Sequence, residues 1–239
     1  MPSAAIPAWL TLIAAASLLI AAACALWICV DEARRPQAMW IMNLVWPLTA
    51  LFGGLLWLGL YVRWGRAPAR CERAPAAGRA GLGVAIALAT CHCGAGCVLG
   101  DILAEGATTA HPAWLVLFGW PGLFPQPMFA EWAADFIAAF VLGVGFQYFS
   151  LKPMGGLTAG QTLARALKAD ALSIVAWQLG MYGAMAAIQY LGFQPAFGAP
   201  ANPGQPAFWL AMQVAMLCGF VTAYPVNGLL IKAGVKERM

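Results

Sequence analysis

The sequence predicts an all-α integral membrane protein with six transmembrane helices arranged as three hairpins. Three observations predict it. Hydrophobic residues make up 62% of the 239-residue chain and charged residues only 9%, against roughly a quarter charged in a soluble domain. Successive stretches are apolar for about 20 residues, the length at which a helix crosses a bilayer. Several of the eleven Trp stand near the ends of those stretches, where an amphipathic ring prefers the membrane interface. The small net charge of +4 reads as membrane topology and not as a nucleic-acid surface. The odd cysteine count of seven, with most cysteines inside apolar stretches, excludes a secreted disulfide framework.

The elements follow in order. Residues 1–5 hold no Lys or Arg, so the basic start of a cleaved signal peptide is missing and 6–30 is read as an uncleaved first span. A short connection at 31–38 carries two acids and two arginines. The second span is 40–62, where Pro47 predicts a kink and Gly53-Gly54 permits close helix approach. A basic loop follows with Arg63, Arg66, Arg70, Arg73 and Arg79 against Glu72 alone. The third span is 82–104. Residues 106–127 lack Lys and Arg and hold four prolines around an apolar core, 113–119, too short to cross. A re-entrant or interfacial segment is expected there. The fourth span is 128–149. Residues 152–156 break the chain, and 157–170 read as a short amphipathic helix. The fifth span is 171–191, and an uncharged loop occupies 193–206. The sixth span is 207–231, interrupted at 224–228. The organisation is an N-terminal hairpin with its basic loop at 1–79, then a four-helix membrane domain at 80–239.

Cytoplasmic loops carry the excess of Lys and Arg. With both termini cytoplasmic, segments 63–81, 150–170 and 232–239 hold five, three and three basic residues of the thirteen in the chain. Arg34 and Arg35 alone fall outside. The expected location is the cytoplasmic (inner) membrane of a bacterial cell, multi-pass.

Chemistry concentrates in the third span. Cys91, His92, Cys93 and Cys97 lie within seven residues, followed by Asp101 and Glu105. Ionisable groups are costly in hydrocarbon and mark functional sites there. Cys and His select soft and borderline metals such as Cu(I) and Zn(II). Residues four apart share a helix face, so Cys93, Cys97, Asp101 and Glu105 form one stripe, with His92 on its flank and Cys91 nearer the back. Gly94 and Gly96 weaken the helix and are expected to let it unwind, drawing His92 and Cys91 toward the stripe. Glu131 and Asp135 on the fourth span start at the depth of Asp101 and Glu105. Between Arg79 and Lys152 no Lys or Arg neutralises these four carboxylates, and a cleft of one sign concentrates counter-ions. They are read as an ion pathway or proton relay. Gln178, Met181, Met212 and Gln213 are candidates to line a path, with core packing or helix–helix hydrogen bonding as the plainer alternative.

The run His92-Cys93-Gly94-Ala95-Gly96-Cys97 with Leu99-Gly100-Asp101 resembles a family of bacterial and archaeal membrane proteins catalogued only as domain of unknown function 4396. Phe146-Gln147-Tyr148-Phe149, Lys152-Pro153-Met154, Lys168-Ala169-Asp170, Gln178 to Gly183 and Tyr224-Pro225-Val226-Asn227 carry the resemblance further, over about residues 80–235. It implies that His92, Cys93, Cys97 and Asp101 belong to the family's signature and that Cys91 is particular to this chain. It implies no activity.

The leading expectation is binding, and by extension transport, of a soft cation resembling Cu(I). His92, Cys93, Cys97 and Cys91 would be ligands, and copper or zinc the metal. Partners are then the lipid bilayer and the metal cation, with no nucleotide and no nucleic acid. Two alternatives stand beside it. One is thiol–disulfide redox chemistry at the cysteines. The other is an accessory role in a homo-oligomer or larger membrane complex. Haem is disfavoured because His92 and His111 lie on one segment and not on facing helices.

Overall fold

A computed structural model describes residues 5–68, 81–154 and 156–237. Among these residues every regular element is helical. Six helices are long and apolar enough to cross a membrane. We label them α1 (Ala8–Arg34), α2 (Met42–Leu60, prolonged by a π-helical turn Tyr61–Gly65), α3 (Leu82–Ala110), α4 (Pro127–Leu151), α5 (Ala159–Ala186, prolonged through Ala187–Phe193 and Gln194–Phe197) and α6 (Pro206–Lys232). Arg70, Arg73, Arg79 and Cys71 of the expected basic loop lie outside the described residues.

α3 is the hub. In its most apolar window 67% of residues are buried, against 22% for α1, so α3 is surrounded by protein and α1 packs at the edge. Small residues make this possible. A Cβ on Gly96 would fall 2.4 Å from the Gly143 Cα, and one on Gly100 would fall 2.4 Å from the Ala139 amide nitrogen. The α3 and α4 backbones therefore touch, as small residues allow between membrane helices.

The arrangement of α1 and α2 differs from the expected hairpin with both termini on one side. Gly54 has φ 51° and ψ −129°, far from helical values and in a region that favours glycine. The chain reverses there. Trp46 and Tyr61 would stand about 22 Å apart on a straight helix, yet their ring centroids are 5.4 Å apart. Likewise a Cβ on Gly65 would fall 2.1 Å from the Trp46 ring. α2 is thus two antiparallel half-helices that enter the bundle and leave on the side they came from. α1 runs parallel to α6. The Ala5 amide donates to the Phe197 carbonyl at 3.2 Å, the Ser17 hydroxyl donates to Gln213 Oε1 at 2.7 Å, and Asp31 at the other end pairs with Arg66 at 2.6 Å. The start of the described chain therefore shares a face with residues 106–127 and 198–205. The segment after α6 lies on the opposite face. A re-entrant element exists, at 42–65 and not at 106–127.

The fold-back of α2 makes the charge pattern uniform. Arg34 and Arg35, the two exceptions to the expected topology, now lie with Arg63, Arg66, Lys152, Arg165, Lys168, Lys232 and Lys236 at one end of the bundle. All Lys and Arg among the described residues stand at that basic end. The other end, with residues 106–127, is called here the acidic end.

Three boundaries also move. The expected amphipathic helix at 157–170 and the fifth span are one helix. Thr158 and Gln161 form a capping box at its start, a signature visible in sequence. Second, α6 passes through Pro225 without a break in its assigned helix. Third, residues 106–127 form no crossing. α3 continues to Ala110, and a 3-10 turn at Pro112–Phe118 follows, with Leu115 buried and Trp114, Val116 and Leu117 exposed. Of the two forms anticipated, this matches a segment lying on the bundle surface.

Candidate functional site

The α3 stripe forms as its spacing predicts. Cys93, Cys97 and Asp101 are fully buried and Glu105 is 1% exposed. On α4, Asp135 is fully buried and Glu131 half-buried. The backbone contact at Gly100 and Ala139 brings the two helices' carboxylates to one depth. Asp135 stands within Coulombic range of Glu105, Asp101 and Glu131. Among the described residues one hydrogen bond reaches the three buried members, from Gln178 Nε2 to Asp101 Oδ1 at 3.4 Å. Asp101 Oδ2, both Glu105 oxygens and both Asp135 oxygens have no hydrogen-bond partner among the described residues. Tyr182 is close in Coulombic terms, but its hydroxyl donates to the Trp132 carbonyl at 2.9 Å and the two rings stack at 4.7 Å. An unpaired charge in such a place costs several kcal/mol, roughly. Each of these carboxyls is therefore neutralised by a proton or by a cation.

Asp101 also lines a cavity of about 170 Å³ between α1, α2, α3 and α6, shared with Leu51, Phe52, Trp209, Met212, Gln213 and Met216 among others. Leu51 and Phe52 belong to the reversal of α2. Three residues before the break at Gly54, the Leu51 carbonyl accepts from Gln213 Nε2 at 2.7 Å. Irregular backbone at membrane depth is tolerated where protein or a cavity satisfies it.

The ligand set expected at 91–97 does not assemble around one point. Among the described residues no three His, Cys, Asp or Glu groups are placed to hold a metal ion together. α3 stays helical through Gly94 and Gly96. Those glycines serve close packing, not unwinding. A Cβ on Gly94 would meet the Trp177 ring at 2.4 Å. With the helix intact, Cys93 and Cys97 remain neighbours, Cys91 turns toward Trp57 of α2, and His92 Nε2 lies 3.2 Å from the Ser150 hydroxyl of α4. His111 stacks on Trp114 at 5.0 Å, away from the stripe.

At the basic end a second polar cluster forms. α6 terminates at Gly234, with φ 70°, and the Val235 and Lys236 amides both donate to the Leu230 carbonyl. This turn sends the Lys236 side chain back into the bundle. Lys236 Nζ donates to Asp170 Oδ1 at 2.5 Å and to Asn227 Oδ1 at 2.7 Å. Ser173 donates to the same Asn227 oxygen at 2.9 Å. All four side chains are buried. His92 lies within Coulombic range of Asp170 and Lys236, and Cys97 within range of both Asp101 and Asp170. A line of polar groups therefore runs from Glu131 and Glu105 at one end, past the thiols, to Lys236 at the other.

A family described as a domain of unknown function, DUF4396, matches residues 84–236. The chain belongs to the DUF4396 family. The match takes in nearly all of α3, all of α4, α5 and α6, and every group of the polar line through Lys236. α1 and the folded α2 lie outside the residues matched. No curated protein matches this DUF4396 chain, and no solved structure does.

Within this DUF4396 domain the structure joins Asp101, Glu105, Glu131 and Asp135, with Gln178 on Asp101. It keeps Cys93 with Cys97, and it puts Met212 and Gln213 on the Asp101 cavity. Met181 is buried in the core and is not among the residues lining that cavity. Sequence reasoning did not single out Asp170, Ser173 or Lys236 as site residues. Reading 157–170 as a separate short amphipathic helix leaves Asp170 at its end, outside the fifth span. The capping box at Thr158 is the signal that would have carried the helix, and Asp170 with it, into the bundle.

Proposed function

We propose that the protein binds a soft cation resembling Cu(I) and passes it across a bacterial cytoplasmic membrane, with the basic end on the cytoplasmic side. The observation that carries this reading is the set of five unpartnered carboxylate oxygens of Asp101, Glu105 and Asp135. Those of Asp101 and Glu105 are buried on α3, the helix that also presents the neighbouring thiols of Cys93 and Cys97, and those of Asp135 are buried on α4. Carboxylates attract any cation into a low-dielectric pocket, whereas thiolates select soft ones. The four-ligand scheme is reduced accordingly. Cys93 and Cys97 serve as the ligand pair, while His92 and Cys91 face elsewhere. The α2 reversal and its cavity beside Asp101 support the reading, since broken helices at mid-depth commonly adjoin ion sites in transporters. The orientation follows from the placement of Lys and Arg.

The test is Cu(I) binding by purified protein under reducing conditions, with uptake into proteoliposomes. Wild-type protein is expected to hold copper in simple stoichiometry, and Cys93→Ser/Cys97→Ser to lose it. Asp101→Asn/Asp135→Asn is expected to retain equilibrium binding but slow uptake. Wild-type protein that neither binds nor admits Cu(I) sinks the reading. If its thiols instead cycle with a disulfide on mild oxidation, thiol redox chemistry takes its place.

A further inference from the structure

The buried ion pair at the basic end has an unusual composition. Its anion, Asp170, sits on a long helix and is fully buried. Its cation comes from a short turn after α6, not from a helix. Around the Lys236 ammonium stand two oxygen acceptors, Asp170 Oδ1 and Asn227 Oδ1. Asn227 is held by Ser173 and by its own donation to the Ala223 carbonyl at 3.0 Å. That leaves acceptor capacity over. Asp170 Oδ2 and the nearby His92 Nδ1 are both buried without a hydrogen-bond partner among the described residues. The turn that delivers Lys236 is held outside by an exposed pair, Arg165–Glu237 at 2.7 Å, a contact worth little in water. Its departure would leave the helix of α6 intact.

We infer that Asp170 and Asn227, buttressed by Ser173 and flanked by His92, form a binding site for a small monovalent cation at the basic end of the bundle, held in this conformation by the Lys236 ammonium as a tethered occupant. An ammonium and a small hydrated cation present the same charge to the same oxygens. The site differs from the acidic-end carboxylates in carrying its own counter-ion. A free cation competes with Lys236, and Lys236 competes with the cation. Under the proposed function the exchange would release an arriving ion on the cytoplasmic side. The site itself does not require that reading, because its occupancy is measurable without transport.

The experiment uses full-length wild-type protein in detergent. Lys236 is acylated with an amine-reactive reagent in K⁺ or in N-methylglucamine at equal ionic strength, and modification is quantified by mass spectrometry against Lys232. Exchange predicts that K⁺ raises Lys236 modification several-fold while Lys232 is unchanged. Equal modification in both salts overturns the inference. A second measurement removes the tether. Lys236→Ala is expected to melt at a lower temperature and to regain Tm, saturably, on addition of propylammonium. Lys236→Ala/Asp170→Asn is expected to show no such recovery. If Lys236→Ala gains nothing from propylammonium or K⁺, the lysine is a structural anchor only. Failure of Cu(I) uptake with K⁺-dependent modification intact would remove the proposed function and leave this site standing.

Discussion

Asp31 and Asp170 at the basic end of this bundle, and Asp101, Glu105 and Asp135 at the acidic end, are buried in opposite ways, with Glu32, whose Oε1 accepts from Gln37 at 3.2 Å, as the exception at the basic end. At the basic end, Asp170 is paired with Lys236, and Asp31 receives Arg66 through two nitrogens at 2.9 and 2.6 Å and the Tyr61 hydroxyl at 2.9 Å. At the acidic end, Asp101, Glu105 and Asp135 share one long hydrogen bond among them. A buried carboxylate with its own counter-ion contributes to a defined packing arrangement. One without a counter-ion costs stability and persists only with a proton or an ion from outside. The contrast separates groups that close the structure from groups left available to a ligand, although both sets lie in one bundle.

The largest expected effect concerns whether the two ends face two sides of a membrane. Single reactive cysteines placed by Ala5→Cys, Gly122→Cys and Asn202→Cys, in a background lacking Cys29, Cys71 and Cys218, should react with an impermeant maleimide from one side of right-side-out vesicles. Gln37→Cys and Lys152→Cys should react only from the other. Ala5→Cys reacting with the second group would restore a first hairpin with both ends on the basic side and break the comparison.

Next comes Lys236→Met. Removing one partner of a fully buried pair leaves an uncompensated charge, a loss of about 3–5 kcal/mol, read from denaturant unfolding in detergent. Lys236→Met/Asp170→Leu should recover most of it. Gly100→Ala is expected to cost about 1–3 kcal/mol by overpacking, because its Cβ meets the Ala139 backbone, and to draw Asp101 away from Asp135. Gly106→Ala, with nothing within 4 Å of its Cβ, is the matched control and should be silent. Arg66→Met should cost about 1 kcal/mol, since the Arg66 side chain is 34% exposed and solvent screens the pair.

The smallest change in stability should come from the acidic end. Asp101→Asn and Asp135→Asn are expected to leave Tm unchanged or to raise it in cation-free buffer, because each removes a charge that has no fixed partner. Asp170→Asn should lower Tm under the same conditions. Equal losses from all three substitutions would mean that the acidic cluster is structural after all.

How much of this was readable in advance depends on the range of the interaction. The stripe Cys93, Cys97, Asp101 and Glu105 needed only the helical period. The gathering of Asp101 and Glu105 with Asp135 and Glu131 needed only one reversal between neighbouring helices, at 106–127. The reversal at Gly54 was less legible. Hydropathy over 42–65 is the same whether the helix crosses or folds back, and Gly53-Gly54 was read as a packing contact. Gly94 and Gly96 failed in the other direction. They were expected to unwind α3, and tertiary contacts with Trp177 and Gly143 hold it helical.

The sequence by itself determined an all-helical membrane protein, its six long apolar helices, the buried face of α3 and the segregation of its basic residues. These follow from apolar length, from a period of 3.6 and from the cost of carrying charge across a bilayer, all properties of contiguous residues. Tertiary structure alone decided that α2 returns to the side it entered from, and that the described chain starts on the face opposite the segment after α6. It also decided that Lys236 closes on Asp170. That contact joins groups 66 residues apart, and its energy exists only once α5, α6 and the turn at Gly234 have excluded water from both charges.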